Sequence, residues 1–174
     1  MIDPQRFRDL MAGVCAPVTV VTTMTDGAPA GTTVSSFASL SLNPPLVSVA
    51  FDRGSALLRQ IQTTRRFGIN ILGQAQSELA MTFARPGADR FAAADWFADD
   101  GLPRLADAAG WVVCDLDRCV EAGDHLLLFG LVRAASSRAD LPPLVYAHRT
   151  FGTHSRFADR PRRRIADAIA ACAR

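Results

Sequence analysis

The sequence contains no lysine, and arginine supplies all 19 of its basic residues. The absence of lysine excludes catalysis through a Schiff base and excludes the lysine of a phosphate-binding P-loop. A phosphate that is bound by a side-chain cation must therefore contact arginine, whose planar guanidinium suits that role. Genomic base composition explains most of this bias, so the absence limits the chemistry without identifying it.

Long apolar runs are also absent. The longest, at 126–132, is far too short to cross a bilayer, so we expect no membrane partner. Residues 1–11 lack a basic stretch followed by an apolar one, which predicts no secretory signal and a cytoplasmic protein. No Gly-x-Gly occurs, so the Rossmann dinucleotide fingerprint is missing.

The four cysteines do not form a Cys-x-x-Cys pair, so neither a zinc site nor a disulfide framework is expected. Reduced and mostly buried thiols are the expectation instead. Cys114 and Cys119 are an odd number of residues apart on a predicted strand, so they are expected to face opposite sides of the sheet. The other two cysteines are Cys15 and Cys172.

Charge is distributed unevenly along the chain. From Arg156 onward there are six arginines and two aspartates, whereas residues 1–155 hold 13 arginines and 15 acidic residues. The arginine-rich run at 160–164 could contact nucleic acid or a phosphate, but such runs are more often solvated turns before a helix. Because aromatic residues do not alternate with the basic ones, we expect no nucleic-acid partner.

Four segments have helical patterns. The first helix is predicted to begin with Asp3 as its N-cap and Pro4 at the first helical position. Ser55 is expected to cap a second helix. The other two helices are predicted at 77–84 and, closing the chain, at 165–173.

Strand patterns dominate the rest of the chain. Asp26-Gly27 is a hairpin signal between strands predicted at 17–25 and 31–37. The segment 86–110, rich in glycine, proline and alanine, is expected to loop over the surface. Without βαβ alternation, we predict a mainly β fold with short helices, a closed or nearly closed antiparallel barrel. Further strands are expected at 46–51, 67–72, 111–121, 125–135 and 142–152.

The stretch "PVTVVTT…DGAPAGTTVSSFASLSLNPPLVSVAF" resembles the opening of the flavin reductase family that supplies two-component monooxygenases. The resemblance continues through "FGINILGQAQSELAMTFA", the "RF…W" residues, "EAGDHLLLFGLV" and "PPLVYAHRTFG", and spans roughly residues 7–152. It implies a split antiparallel β-barrel of the Greek-key, FMN-binding type, in a single domain at 1–174 that forms a homodimer. The arginine-rich tail at 156–174 lies outside it.

The resemblance also implies an activity. The protein would reduce FMN or FAD with NADH or NADPH, as an NAD(P)H:flavin oxidoreductase, and supply diffusible reduced flavin to a separate monooxygenase. Two alternatives stay open at this point. One is a flavoprotein oxidase or monooxygenase that acts directly on a small substrate, and the other is a non-catalytic flavin-binding dimer.

A flavin ring needs apolar walls and a few hydrogen-bonding groups at its polar edge. Thr32, Thr33, Val34, Ser35 and Ser36 offer that mixture, although the hydroxyls of a barrel strand can equally face solvent. The resemblance extends the flavin site to further residues. These are Ala50, Phe51, Asp52, Ala56 and Phe83.

The flavin phosphate is expected at the N-terminus of the second helix, where Gly54 and Ser55 offer free N–H groups and a favourable dipole. The resemblance implies a phosphate contact for Ser55, which could equally be an ordinary N-cap. Arg85 falls where the family has phosphate contacts, and Arg53 is a rival cation. Asp52 and Arg53 replace the family's commoner small or amide residues, which puts the detail of this contact in question.

His125, in "GDHLLLFG", matches the family histidine near the flavin ring and the nicotinamide, where it would position or polarise the reactants. A lone histidine at the start of a strand is otherwise more often structural. Tyr146, His148 and Arg149 resemble the family's "Y-x-R" region near the nicotinamide cleft. The cofactors would carry the hydride chemistry while the protein supplies orientation.

Overall fold

The computed structural model of the chain describes residues 2–87 and 89–154. The arginine-rich tail and the helix predicted at 165–173 lie outside these residues. The strands are β1 Ala16–Pro17, β2 Thr19–Thr25, β3 Ala28–Val34, β4 Ala38–Leu42, β5 Pro45–Asp52, β6 Arg66–Ile71, β7 Trp96–Asp99, β8 Leu102–Leu105, β9 Gly110–Ala122, β10 His125–Ser137, β11 Leu144–Ala147 and β12 Thr150–Thr153. The helices are α1 Pro4–Ala12, α2 Ala56–Thr64 and α3 Ser77–Ala84, with a short 3-10 turn at Gln74–Gln76.

Two of the described helices, α1 and α2, begin at residues whose side chains cap them. Asp3 accepts a hydrogen bond from the Arg6 amide at 2.8 Å and Pro4 opens α1, as predicted. Ser55 likewise accepts from the Leu58 amide at 3.3 Å and caps α2. This cap fixes the position of the α2 N-terminus, which matters for the site described below.

Seven antiparallel strands form the main sheet, in the order β3-β2-β6-β9-β10-β5-β4. This order includes crossovers, so the sheet is not a simple up-and-down meander. The two ends of the sheet approach each other where β3 comes close to β5. There Ser36, just after β3, hydrogen-bonds through its hydroxyl to both the carbonyl and the amide of Ala50. The predicted mainly β, split antiparallel barrel is therefore confirmed.

The barrel interior is the larger of two apolar cores. Inward-facing side chains of six strands meet the apolar face of α2, including Val21, Phe51, Ile61 and Phe67. A second core lies on the outside of β2, where Val20 packs with Phe83 of α3 and with β11. Because consecutive residues of a strand face opposite sides, β2 is buried on both faces and anchors both cores.

Segment 86–110 is not the surface loop that its composition suggested. It contains a hairpin, β7–β8, whose turn is made by Asp100 and Gly101 at φ 51° and 74°. Asp-Gly is the same hairpin signal that correctly predicts the β2–β3 turn at 26–27. The buried amide of Asn70 fixes this hairpin to the barrel, since its oxygen accepts from the Leu105 amide at 2.8 Å.

The single strand predicted at 142–152 is in fact the hairpin β11–β12, which pairs with β1 in a separate three-stranded sheet. Its turn uses His148 and Arg149 at φ 51° and 59°. Neither histidine nor arginine is among the residue types that dominate turns, so the sequence contains no signal for this reversal.

The expected separation of Cys114 and Cys119 is also wrong. Leu116 and Arg118 pair with consecutive residues of β10, which leaves Asp117 as an extra residue in a β-bulge. The bulge reverses the alternation of side chains beyond it. Both cysteines therefore pack against the barrel interior.

Candidate active site

A cleft of about 420 Å³ opens at the seam of the barrel, between the end of β3, the end of β5 and the start of α2. The sequence predicted every residue that lines it as part of the flavin site. The lining residues are Thr32, Thr33, Val34, Ser35, Ser36, Ala50, Phe51, Asp52, Ser55 and His125. The fold thus brings together residues that are up to 93 positions apart in the sequence.

Four of the five hydroxyls that line this cleft come from residues 32–36, and they have different partners. Thr33 donates to the Ala80 carbonyl at 2.6 Å, and Thr32 donates to the Phe83 carbonyl at 3.3 Å, so both hold α3 against β3. Ser36 closes the barrel seam through Ala50. Among the residues that the structure describes, none hydrogen-bonds to the exposed hydroxyl of Ser35.

β3 is the edge strand of the main sheet, so one side of its backbone is unpaired. The Gly31 carbonyl faces away from β2, because it accepts a hydrogen bond from the Arg90 guanidinium. Groups on an edge strand repeat this orientation every second residue, so the amide and carbonyl of Thr33 face the same open side. The cleft therefore offers backbone hydrogen-bonding groups as well as hydroxyls.

A tight turn leads from β5 into α2. The Asp52 carboxylate accepts from the Gly54 amide at 2.7 Å, and the Asp52 carbonyl accepts from the Ser55 amide at 3.0 Å. The N–H groups of the first turn of α2 lie beyond these two bonds, with the dipole of a nine-residue helix behind them. The arrangement favours an anion, although the carboxylate of Asp52 lies at the same cleft.

Two arginines lie close to this turn. Arg59, one helical turn into α2, donates to the Gly54 carbonyl at 3.0 Å and so lies next to the start of its own helix. Arg53 forms an exposed ion pair with Glu121 at 3.3 Å. The sequence reasoning missed Arg59, although a residue four positions after an N-cap lies on the same side of the helix as the cap.

His125 begins β10 directly opposite Asp52 of β5. Its Nδ1 lies 2.7 Å from Oδ1 of Asp124, and the hydrogen bond to His125 holds the pKa of that carboxyl below its ordinary value. An ionised Asp124 can only accept, so His125 donates this hydrogen bond through Nδ1. Asp124 is the orienting partner that the sequence reasoning did not single out.

Three of the other predicted residues lie around the cleft but do not line it. Ala56 begins α2 and lines a neighbouring cleft instead. The Phe83 side chain is fully buried in the second core, where it packs edge-to-face on Phe91. Arg85 is exposed at the end of α3, and its carbonyl accepts from Arg90 at 2.7 Å.

The remaining three predicted residues belong to the β11–β12 hairpin. Tyr146 packs on the second core with its ring centroid 5.2 Å from that of Phe151. The His148 amide donates to the last residue of α1, and Arg149 forms an ion pair with Asp9 of that helix. The hydrogen bond from Arg149 lowers the pKa of Asp9. His148 and Arg149 therefore connect the hairpin to α1, and the nicotinamide role of all three residues stays a prediction.

The described part of the chain offers no set of side chains that could act as ligands to a metal ion. Residues 2–87 and 89–154 contain no group of three or more histidine, cysteine, aspartate or glutamate side chains that could hold a metal ion. None of the helices within those same ranges is both long enough and apolar enough to cross a membrane.

Comparison with known sequences identifies related proteins. The chain is 41% identical over 136 residues to a Rhizobium meliloti protein named "Probable flavin reductase", a match that covers 77% of this chain but only 44% of that protein. It is 35% identical over 146 residues to the reductase subunit of a flavin-dependent monooxygenase from Rhodococcus jostii, covering 83% and 75% of the two chains. The chain therefore spans less than half the length of the first relative.

Comparison with solved structures likewise identifies a related protein. The NADH:FAD oxidoreductase of Streptomyces globisporus C-1027, solved in complex with NAD and FAD fragments, superposes with a TM-score of 0.85 at 28% identity. The superposition covers 91% of this chain and 99% of that one. The sequence model of the family described as "Flavin reductase like domain" matches residues 11–155. Since that match extends over most of the chain, this protein belongs to the family of flavin reductase-like domains.

Proposed function

We propose that this chain catalyses the reduction of FMN or FAD by NADH or NADPH and releases the reduced flavin to a separate monooxygenase. The observation that carries the proposal is the cleft beside β3, where unpaired strand backbone, a helix N-terminus and an oriented histidine lie together. Family membership supports the reaction class, and the relatives include the reductase subunit of a monooxygenase. Because the reaction draws on the NAD(P)H pool, we also propose a cytoplasmic location.

The donors and acceptors of the cleft fit a flavin. Its ring has apolar faces and a polar edge that both donates and accepts hydrogen bonds, and the backbone of Thr33 and the unpartnered hydroxyl of Ser35 supply both kinds of partner. Val34 and Phe51 add apolar wall on either side of the seam. The phosphate end fits the first turn of α2, where Ser55 and Arg59 flank the free N–H groups.

When bound, the flavin supplies the redox chemistry, because its ring accepts a hydride from the reduced nicotinamide. The work of this chain is to hold both rings in contact, since orientation contributes much of the rate in such a transfer. His125 lines the cleft, and its hydrogen bond to Asp124 holds the imidazole in place. In this arrangement His125 orients a polar group of the nicotinamide.

The proposal includes a homodimer that uses the apolar face of α1. This helix contributes no buried residue to its own chain, and Phe7, Leu10, Met11 and Val14 are each 46% to 65% exposed. A contiguous apolar surface of this kind is characteristic of an interface. Leu10→Asp should shift the sedimentation coefficient from that of a dimer to that of a monomer. An unshifted coefficient for the variant would remove α1 from the interface.

The activity is tested by mixing the purified protein with NADH or NADPH and with FMN or FAD, and by following the loss of the reduced nicotinamide. Turnover that depends on added flavin is expected in at least one of the four mixtures. The same protein should deliver reduced flavin to a monooxygenase component that is held behind a dialysis membrane. Absence of flavin-dependent turnover in all four mixtures would end the proposal.

Ser55→Asp tests the phosphate contact. Aspartate is also a good N-cap, so α2 should keep its start while a negative charge enters the anion site. Two unit charges about 5 Å apart repel by roughly 3 kcal/mol at an effective dielectric of about 20, so FMN should bind at least about tenfold more weakly. Riboflavin, which has no phosphate, is the matched control and should bind the variant unchanged. Equal losses for both ligands would mean that the phosphate binds elsewhere.

A further inference from the structure

The charge of the flavin cleft does not match that of a tight phosphate site. The ten described residues that line it include no arginine, and Asp52 is the one acidic residue among them. A phosphate group carries nearly two negative charges at neutral pH, and arginine is the side chain best suited to bind it. A carboxylate in the wall of the cleft therefore opposes the binding of FMN.

The fold fixes the Asp52 carboxylate in this position. Its Oδ1 atom accepts from the Gly54 amide at 2.7 Å, while the Asp52 carbonyl accepts from the Ser55 amide at 3.0 Å. A Cβ atom on residue 54 would lie 3.0 Å from the same Oδ1, so the glycine leaves room for this close approach. The side chain cannot turn away from the start of α2 without losing a hydrogen bond.

The two arginines near this turn do not neutralise the carboxylate. Arg53 forms its ion pair with Glu121 at 3.3 Å, and Arg59 donates to the Gly54 carbonyl at 3.0 Å. Across residues 2–87 and 89–154, no side-chain cation forms an ion pair with Asp52. The negative charge of Asp52 is therefore uncompensated by any direct contact with these residues.

His125 does not neutralise Asp52 either, although the two residues are paired in register on neighbouring strands. Its Nδ1 atom lies 2.7 Å from Oδ1 of Asp124 instead. This hydrogen bond lowers the pKa of the Asp124 carboxyl, so a second carboxylate stays ionised beside the cleft. The negative charge near Asp52 is thus reinforced.

The proposed reaction makes the flavin more negative. The C4–H bond of the dihydronicotinamide breaks, an N–H bond forms at N5 of the flavin, and the electron pair moves with the hydrogen. The nicotinamide gains one positive charge in this step, and the flavin gains one negative charge. A carboxylate in the cleft therefore repels the reduced flavin more strongly than the oxidised flavin.

We propose that Asp52 limits the affinity of the cleft for flavin and so favours release of the reduced product. This inference rests on the proposed function, because it takes the phosphate to bind at the start of α2 and the reduced flavin to leave the protein. The α2 dipole and Arg59 attract the flavin phosphate, and Asp52 opposes them. The balance gives the moderate affinity that a supplier of diffusible flavin requires.

The test compares Asp52→Asn with Asp26→Asn. Asparagine keeps an oxygen that accepts from the Gly54 amide, so the first variant loses the charge and retains the turn. Asp26 is exposed in the β2–β3 turn, away from the lining of the cleft, at a φ of 50° that asparagine also adopts. The second variant therefore changes the net charge equally and controls for its general effect.

Affinities for oxidised FMN and for riboflavin, which has no phosphate, are measured by fluorescence titration at low salt. Asp52→Asn should bind FMN about three- to tenfold more tightly than the wild type, and riboflavin within about twofold. At about 0.5 M salt the gain for FMN should fall below about twofold, because ions screen exposed charges. Asp26→Asn should match the wild type throughout.

Release of the product is measured separately, without oxygen and at pH 8. Each protein is loaded with reduced FMN and mixed in a stopped-flow instrument with cytochrome c, which free reduced flavin reduces rapidly. Release from Asp52→Asn should be at least about threefold slower than from the wild type. The gain in affinity should also be larger for reduced FMN than for oxidised FMN.

Several results would overturn the inference. Unchanged or weaker binding of FMN by Asp52→Asn would mean that the carboxylate does not oppose the ligand. An equal gain for riboflavin, or a gain that salt does not diminish, would mean that shape and not charge is responsible. Asp52→Ser, whose hydroxyl can accept the same turn bond, is the second uncharged variant and should show the same gain.

The same measurements separate this inference from the proposed function. If the wild-type protein reduces flavin but neither Asp52 variant changes FMN binding or release, only the role of Asp52 is wrong. If the wild-type protein neither binds flavin nor oxidises NADH or NADPH in its presence, the proposed function itself is wrong.

Discussion

Two adjacent serines at the barrel seam should have separable roles, and alanine substitution at each tests this. Ser36 makes two hydrogen bonds to Ala50, at 3.1 Å to its carbonyl and 2.9 Å from its amide, and these join the two ends of the sheet. Ser35 lacks a hydrogen-bond partner among the described residues and faces the cleft. Ser36→Ala should therefore lower stability, whereas Ser35→Ala should lower flavin affinity.

The size of each effect follows from the contacts. A hydrogen bond contributes about 0.5–1.5 kcal/mol net, and Ser36 is exposed, so water replaces part of what is lost. We expect Ser36→Ala to lower the free energy of unfolding by about 1 kcal/mol, which for a chain of this size lowers Tm by roughly 2–4 °C. Ser35→Ala should change stability by less than about 0.5 kcal/mol. It should weaken flavin binding about two- to tenfold.

Urea unfolding measures the first effect and flavin titration the second, on the same two preparations. The unfolding slope should be equal in wild type and both variants, since neither substitution changes the surface exposed on unfolding. If Ser35→Ala destabilises the protein as much as Ser36→Ala does, or if Ser36→Ala leaves Tm unchanged, our conclusion that Ser36 closes the barrel seam is wrong.

Three further predictions follow from buried or paired groups. Gly68→Ala should cost about 1–3 kcal/mol, because the added Cβ would overlap the ring of Trp111, and Trp111→Phe in the same chain should restore part of that loss in thermal melting. The folded-state pKa of Asp124 lies below its ordinary value, so its pairing with His125 stabilises the fold at neutral pH, and this contribution disappears as pH falls through the folded pKa. A carboxyl NMR titration should show that pKa rise in His125→Gln. Burial raises the pKa of the Cys114 thiol to about 12, so Cys114→Ser should leave the number of thiols that react rapidly with a disulfide reagent at pH 8 unchanged.

Local signals predicted the elements that depend on one or two residues. Asp3 and Ser55 cap helices through their own neighbours, so the sequence contains the whole interaction. Asp26-Gly27 predicts its hairpin because the pair adopts positive φ readily. The turn at His148 and Arg149 has the same backbone geometry without such residues, and the contact that supports it comes from α1, more than 130 residues earlier.

The composition of the cleft was predictable, but the partners of its residues were not. The sequence indicates a hydroxyl-rich strand, yet whether a hydroxyl packs or binds depends on what lies across from it. Thr33 donates to Ala80 and Ser36 bonds to Ala50, which are 47 and 14 residues away. Those contacts exist only after α3 docks on β3 and the seam closes. Ser35 can be recognised as the residue with an unpartnered hydroxyl only once these pairs are known.

The fold gives the Asp52 carboxylate a structural role at the position where we propose that a phosphate binds. An aspartate beside a phosphate site should repel the phosphate, yet the Asp52 carboxylate accepts from the Gly54 amide and closes the turn that starts α2. This bond takes one amide away from any anion and spreads part of the negative charge over the turn. The anion site then relies on the N–H groups of α2 itself and on Arg59, whose guanidinium bonds to the carbonyl of the same glycine. A phosphate bound as we propose should therefore interact with a helix dipole and an arginine that together oppose the nearby carboxylate, and this arginine belongs to the helix whose N-terminus the phosphate would approach.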